Sequence, residues 1–190
     1  MKKKQHPNNN IQMFLMLIII IYCVNGFSRE RYRKYYPTIN VYPENFKEVK
    51  LVEQFVSEKT MEMDNFIMQT DKSVSYAFEE IVPETLNELL TIESRVAPLI
   101  LFFKFLFNRA RPKQINQELD VYPSISAATP AFPSGHTCQA YYLAKKLTEK
   151  YPEKREKLYK LAEKCGQARI YGGLHYPSDH EFSKLLVKII

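Results

Sequence analysis

Residues 152–179 read PEKREKLYKLAEKCGQARIYGGLHYPSD, two helical patterns joined by a glycine-bearing turn. Leu158, Leu161, Ala162, Cys165 and Ala168 recur at steps of three and four, the apolar stripe of a helix running from Pro152 to Arg169, with Arg169 on its edge. Gly172-Gly173 then allows close backbone approach, and Pro177 opens a second helix that continues to the C-terminus through Phe182, Leu185, Leu186 and Ile189. Helix follows helix across a short turn, with no strand alternation.

The same period returns on the N-terminal side. A helix starts at Gly135 or His136 and runs to Tyr151, and Phe46, Val49, Val52, Phe55 and Val56 form another stripe from Glu44 onward. Asp71 to Ser75 reads as a break, and Pro83 suits the first turn of a helix through Leu86, Leu89 and Leu90. Val96 to Phe107 is apolar nearly all round, which predicts a helix at the centre of a bundle; Arg111-Pro112 ends it, because the residue before proline is pushed out of the helical region. Lys113 to Pro133, with its prolines, serines and threonine, reads as a long loop. No internal repeat is visible, so the expected architecture is an all-α helical bundle.

Length and composition fit one globular, mostly helical domain: 190 residues, 45% hydrophobic, 25% charged and few glycines. The net charge of +6 owes three charges to Lys2, Lys3 and Lys4, and no basic stripe with interleaved aromatics occurs, which argues against nucleic acid as a partner. That basic cluster leads into an apolar run from Met13 to Val24 and then Asn25-Gly26, the pattern of an export signal cleaved after Gly26. Retention as a membrane anchor through residues 11–24 is the alternative, and a buried helix the third reading. The organisation read here is therefore 1–26 signal peptide or anchor, 27–45 irregular arm rich in Tyr, Arg and Pro, and 46–190 the folded domain. Cys138 and Cys165 read as buried thiols on facing helices, with a disulfide as the alternative, and neither has His or Cys neighbours at zinc-ligand spacing.

Three segments carry chemistry. In the first, Lys104 interrupts an apolar run and Arg111 stands seven residues on, which on a continuous helix puts both cations nearly on one face. In the second, Pro133-Ser134-Gly135-His136 opens a helix whose first amides point at any anion placed there; Ser134 caps it or donates to a phosphoryl oxygen, and His136 stands beside the same point. In the third, Asp179 follows His175 by four residues and can accept the imidazole N–H, leaving the other ring nitrogen free to attack phosphorus. Each has a plainer reading alone: a snorkelling lysine with a helix-end arginine, a serine cap with an exposed histidine, and an ordinary first-turn aspartate with a surface histidine.

Taken together, Lys-x6-Arg-Pro, Pro-Ser-Gly-His and Arg-x5-His-x3-Asp resemble, in that order, the signature segments of the type 2 phosphatidic acid phosphatase (PAP2) and vanadium haloperoxidase superfamily, over about residues 96–190. Ala168 and Asn108 depart from the residues common in that family, Ser and Gly, without removing a charged motif group. The resemblance implies that Lys104, Arg111 and Arg169 clamp the phosphoryl oxygens and that Ser134 and the Gly135 amide complete the cradle. It further implies that His175 attacks to form a phosphohistidine, Asp179 orients it, and His136 protonates the leaving alcohol and later activates water. No metal or other cofactor is implied; vanadate is expected as an inhibitor or phosphate mimic. The substrate expected is a phosphomonoester, soluble or lipid. An exported acid-phosphatase-like enzyme is the first reading and an anchored lipid phosphatase, acting on phosphatidate-like or isoprenoid phosphates, the second. A vanadate-dependent haloperoxidase and a catalytically silent envelope protein are the remaining two.

Overall fold

The computed structural model describes residues 42–190, which build helices with no strand among them. In chain order they are α1 (Asn45–Ser57), α2 (Met61–Thr70), α3 (Ser75–Phe78), α4 (Leu86–Ser94), α5 (Ala97–Phe107), α6 (Pro112–Ile115), α7 (Gly135–Lys150), α8 (Arg155–Tyr171) and α9 (Pro177–Ile189). The all-α architecture read from the sequence is the one observed. The leader at 1–26 and the arm up to residue 41 lie outside the described residues.

Local signals explain where the helices begin. Thr85 caps α4 by accepting the Glu88 amide while the Glu88 carboxylate accepts the Thr85 amide, a reciprocal box that satisfies two first-turn donors. Pro83 therefore lies two residues ahead of that cap and outside the helix, where the sequence reading had it in the first turn. Pro152 opens a 3-10 turn, Pro152–Lys154, that leads into α8. The long loop before α7 carries α6 and a second 3-10 turn, Ile125–Ala128.

Helix α7 is the hub, packed against α8, α9, α4 and α5. Its Ala140, Leu143, Ala144 and Leu147 meet Leu158, Ala162 and Cys165 of α8 and Leu89 of α4 in the main core, while Cys138 faces Ile100 of α5 and Leu186 of α9. Cys138 and Cys165 thus belong to different clusters, and both are free, buried thiols. Burial pushes the Cys138 thiol up to about 11. One glycine sits mid-helix in α8 at a cost of about 1 kcal/mol relative to alanine; a Cβ on Gly166 would stand 2.1 Å from Nδ1 of His180, so the position admits no side chain while that ring is in place.

Two expectations need correction. Helix α5 is peripheral, with Leu101, Phe102 and Leu106 exposed at 38, 42 and 43%. A run with no polar face gives no hint of which side meets its neighbours, and α7 takes the centre instead. In α1, Phe46 is 68% exposed and Glu48 is buried beside Val49 and Val52, because a buried cation on another segment, Arg109, draws the carboxylate inward.

Candidate active site

Helix α5 delivers Lys104 and then stops. Asn108 adopts the left-handed conformation, φ 49°, and donates its amide to the Lys104 carbonyl, which ends the helix three residues before Arg111. Lys104 and Arg111 are thus not on one continuous helical face, as the spacing predicted; the turn at Asn108–Ala110 swings Arg111 back toward the loop. Lys104 Nζ donates to the Pro130 carbonyl at 2.5 Å, and Arg111 Nε donates to the Thr129 carbonyl at 2.9 Å. Lys104 Cε also lies 3.8 Å from where a Cβ on Gly135 would stand, so the start of α7 and the lysine share one space.

The third cation, Arg169, is not on the rim of α8 but fully buried. Its Nη1 pairs with Asp71 at 2.9 Å, and its Nη2 donates to Ser124 and Ser126 at 3.0 and 2.9 Å. Its Nε is buried with no hydrogen-bond partner among the described residues, a donor aimed at nothing the fold itself provides. Gly173, at φ 69°, turns the chain after α8 where any side chain would press on the Asp120 carbonyl at 3.1 Å, and the turn carries His175 back under Arg111.

The hydrogen bonds fix the tautomer of His175. Arg111 Nη1 lies 2.9 Å from its Nε2, and a guanidinium only donates, so Nε2 carries the lone pair. Nδ1 then holds the proton and donates it to Asp179 Oδ2 at 3.0 Å. The other carboxylate oxygen of Asp179 accepts from Arg109 Nη1 at 2.6 Å, and the Tyr176 amide donates to Oδ2 at 2.9 Å. Burial pushes the Asp179 carboxyl up, while the Arg109 charge and the Tyr176 amide pull it back. With a guanidinium in direct contact, the pair is ionised.

Arg109 was not singled out in the sequence, yet it organises this corner. It is fully buried, donates to Glu48 Oε2 at 2.7 Å as well as to Asp179, and lies between the rings of Tyr42 and Tyr176, 4.2 and 3.9 Å from their centroids. Glu48 in turn accepts from the Ser178 amide at 2.6 Å in the first turn of α9, where a carboxylate offsets the helix dipole.

His136 is buried, and its Nε2 lies 3.0 Å from the Asp71 carbonyl, which only accepts; Nε2 therefore carries the proton and Nδ1 is the ring nitrogen left for other chemistry. Ser134 caps α7, accepting the Thr137 amide, and its hydroxyl lies 2.9 Å from that of Thr137. The amides of Gly135 and His136 fall in the first turn, where the helix offers them no acceptor.

The electrostatics are one-sided. Burial, then the Arg111 charge, holds Lys104 well below the usual lysine range. Burial and then the Arg169 charge do the same to His136, and burial with the Arg111 and Lys104 charges to His175. Such a cluster favours a bound anion.

It also predicts a stability profile. Both histidines stay neutral in the fold, whereas the unfolded chain takes up protons near 6.5. The native state therefore loses ground as pH falls below that value, by up to about 1.4 kcal/mol per pH unit for each histidine. Asp179, pushed up yet ionised beside Arg109, works in the opposite sense only at lower pH, as it takes up its proton. The melting temperature should be lower at pH 5.5 than at pH 7.5, and inorganic phosphate should narrow the difference; a higher melting point at pH 5.5 would contradict neutral histidines.

All eight residues predicted from the sequence (Lys104, Arg111, Ser134, Gly135, His136, Arg169, His175 and Asp179) lie in this one region of the fold. Arg109, Glu48, Asp71 and the serines at 124 and 126 were missed. A family model described as the PAP2 superfamily matches residues 87–186. That span holds every predicted residue but leaves out Glu48 and Asp71, which reach the site from α1 and from the end of α2. No curated protein matches the chain.

Proposed function

The chain belongs to the PAP2 superfamily, whose members are generally phosphatases, and on that footing we propose that it hydrolyses phosphoric monoesters through a phosphohistidine intermediate. One observation carries the reading: the buried charges of Arg111, Lys104 and Arg169 all act on a His175 whose Nε2 lone pair faces Arg111 and whose Nδ1 proton is held by Asp179.

A phosphoryl dianion outcompetes the neutral carbonyls that Lys104 and Arg111 hydrogen bond, since charge-assisted bonds are the stronger, and Arg169 offers it a buried Nε that has no partner among the described residues. Three fixed cations, the Gly135 amide and the Ser134 hydroxyl then hold its oxygens without reorganisation at the moment of reaction. His175 Nε2 forms the N–P bond as the P–O bond to the leaving alcohol breaks, its electron pair going to that oxygen together with a proton from His136 Nδ1. Asp179, already hydrogen-bonded to Nδ1–H, stabilises the charge that develops on the His175 ring. His136 is neutral among the cations alone; the arriving dianion lifts it toward the imidazolium, so substrate binding supplies the acid. In the second half, His136 Nδ1 takes a proton from water, the oxygen attacks phosphorus, the N–P bond breaks with its pair returning to His175, and phosphate leaves. No metal or other cofactor is assigned a step, and vanadate is the expected inhibitor.

Export through residues 1–26, with cleavage after Gly26, belongs to this reading. A second reading, a lipid phosphatase held at a membrane by the N-terminal segment, is favoured by one observation: the helix that carries Lys104 presents Leu101, Phe102 and Leu106 outward. Among the described residues no helix is long and apolar enough to cross a membrane. The test is a panel assay of the full chain with EDTA present, comparing p-nitrophenyl phosphate with long-chain phosphatidate in vesicles. Vanadate-sensitive turnover of the soluble ester, exceeding that of phosphatidate, is expected. A preference for phosphatidate of tenfold or more in kcat/KM would favour the lipid reading, and inertness toward both would remove the phosphatase assignment.

A further inference from the structure

His180 lies one residue past Asp179 and is buried. Its ring fills the space beside Gly166 of α8, where a Cβ would stand 2.1 Å from Nδ1, 2.3 Å from Cε1 and 2.8 Å from Thr137 Oγ1. Nε2 is 2.9 Å from Glu163 Oε1 and Nδ1 is 3.1 Å from Thr137 Oγ1, which is itself 2.9 Å from Ser134 Oγ. An unbroken line of hydrogen bonds, Glu163–His180–Thr137–Ser134, thus runs from the partly exposed side of α8 to the first residue of the phosphoryl cradle.

Counting protons gives this line two directions. Burial raises the Glu163 carboxyl, but hydrogen bonds from Tyr141 and His180 more than reverse that and pull it down to about 2, so it is ionised and only accepts. His180 Nε2 therefore always carries a proton. If Nδ1 is bare, it accepts the Thr137 hydroxyl hydrogen, Thr137 accepts from Ser134, and the Ser134 hydrogen points into the fold. If Nδ1 is protonated, it donates to Thr137, Thr137 donates to Ser134, and the Ser134 hydrogen is left for a phosphoryl oxygen. The charged and titratable groups around the ring are Glu163, Glu181 at 3.9 Å, the Tyr141 phenol from α7, and Lys184, whose ammonium bridges Glu163 at 3.2 Å and Glu181 at 3.0 Å.

We propose that His180 is a positioning residue: its imidazolium, paired with Glu163, turns the Thr137 hydroxyl onto Ser134 so that the Ser134 hydroxyl donates to the bound phosphoryl group. The proposal rests on the phosphatase reading above and adds to it a proton that selects the binding-competent arrangement of Ser134. It also accounts for Gly166, since an alanine there would displace the ring.

The test is titration calorimetry of inorganic phosphate against the full chain, with melting temperature as the folding control. His180→Leu and Ser134→Ala should each weaken phosphate binding about tenfold at pH 6, the loss of one charge-assisted hydrogen bond, and the double variant should be no more than about threefold weaker than either. His180→Asn keeps a permanent donor toward Thr137 and retains the side chain's polarity if leucine is not tolerated. It should bind phosphate within about threefold of wild type at pH 6. Additive losses in the double variant, full affinity in a folded His180→Leu, or a His180→Asn variant that binds as weakly as His180→Leu would overturn the proposal. A wild-type chain that binds no phosphate would instead overturn the phosphatase reading on which it stands.

Discussion

Replacing His175 with alanine should lower phosphomonoester turnover by at least about a thousandfold while leaving the fold intact. Removing an attacking nitrogen eliminates the covalent route, and the cations that remain can assist only the much slower direct attack of water. The fold should tolerate the change because the partners of the ring stay satisfied: Arg111 keeps the Leu174 and Thr129 carbonyls, and Asp179 keeps Arg109 and the Tyr176 amide. Relief of a buried imidazole crowded by cations offsets part of the cavity left behind. Phosphate binding should therefore survive in His175→Ala within about tenfold, because the groups assigned to hold the oxygens are untouched. A variant that turns over substrate at more than a tenth of the wild-type rate would remove His175 from the role of nucleophile.

Arg109→Leu should cost about 3–5 kcal/mol of stability and nearly all activity. The guanidinium serves two buried carboxylates at once, Glu48 at 2.7 Å and Asp179 at 2.6 Å, and removing one partner of a buried ion pair leaves the other charge without compensation. At about 2–4 °C per kcal/mol for a domain of this size, the melting temperature should fall by about 6–20 °C. Arg109→Lys should recover only part of the loss, because a single ammonium can neither form the two-sided fork nor stack between Tyr42 and Tyr176. Activity should fall with it, since Asp179 without Arg109 no longer has one fixed orientation toward His175. Thermal unfolding followed by circular dichroism reads this directly, and a shift under 2 °C for Arg109→Leu would contradict the network.

The two predictions differ in how visible their residues were in the chain. His175 stands in a segment whose spacing, Arg-x5-His-x3-Asp beside a glycine pair and a helix-opening proline, carries its geometry locally: a separation of four around the start of a helix brings imidazole and carboxylate together. Arg109 has no such local signature. It follows an apolar helix as Lys104 and Arg111 frame it, and reads as one more solvated helix-end cation; only packing against α1 and α9 makes it structural. A signal did exist in Glu48, which stands four residues before Val52 and seven before Phe55, on the same helical face. A carboxylate on an apolar stripe calls for a buried cation, and the stripe was instead drawn through Phe46.

Asp71 escaped notice for a similar reason. In sequence it marks the end of a helix, which is where exposed aspartates are common, and its pairing with Arg169 spans 98 residues. Its backbone carbonyl also receives His136 Nε2–H, so one short turn orients both a cation and the proposed acid. The mistaken centre of the bundle has another origin. Helix α5 is the most uniformly apolar segment described, and uniform apolarity measures what a helix can bury rather than what its neighbours cover. Helix α7, with lysines along one side and Ala140, Leu143, Ala144 and Leu147 along the other, is the one surrounded.

A phosphohistidine at residue 175 is detected by acid-avoiding quench of the full chain during turnover of a phosphomonoester, followed by peptide mass spectrometry. Phosphate on the imidazole of His175, alkali-stable and acid-labile, absent from His175→Ala and accumulating when His136 is replaced by alanine and an activated leaving group is used, is the predicted result. Steady turnover with His175 unmodified under those conditions, or phosphate recovered on another side chain, would contradict it.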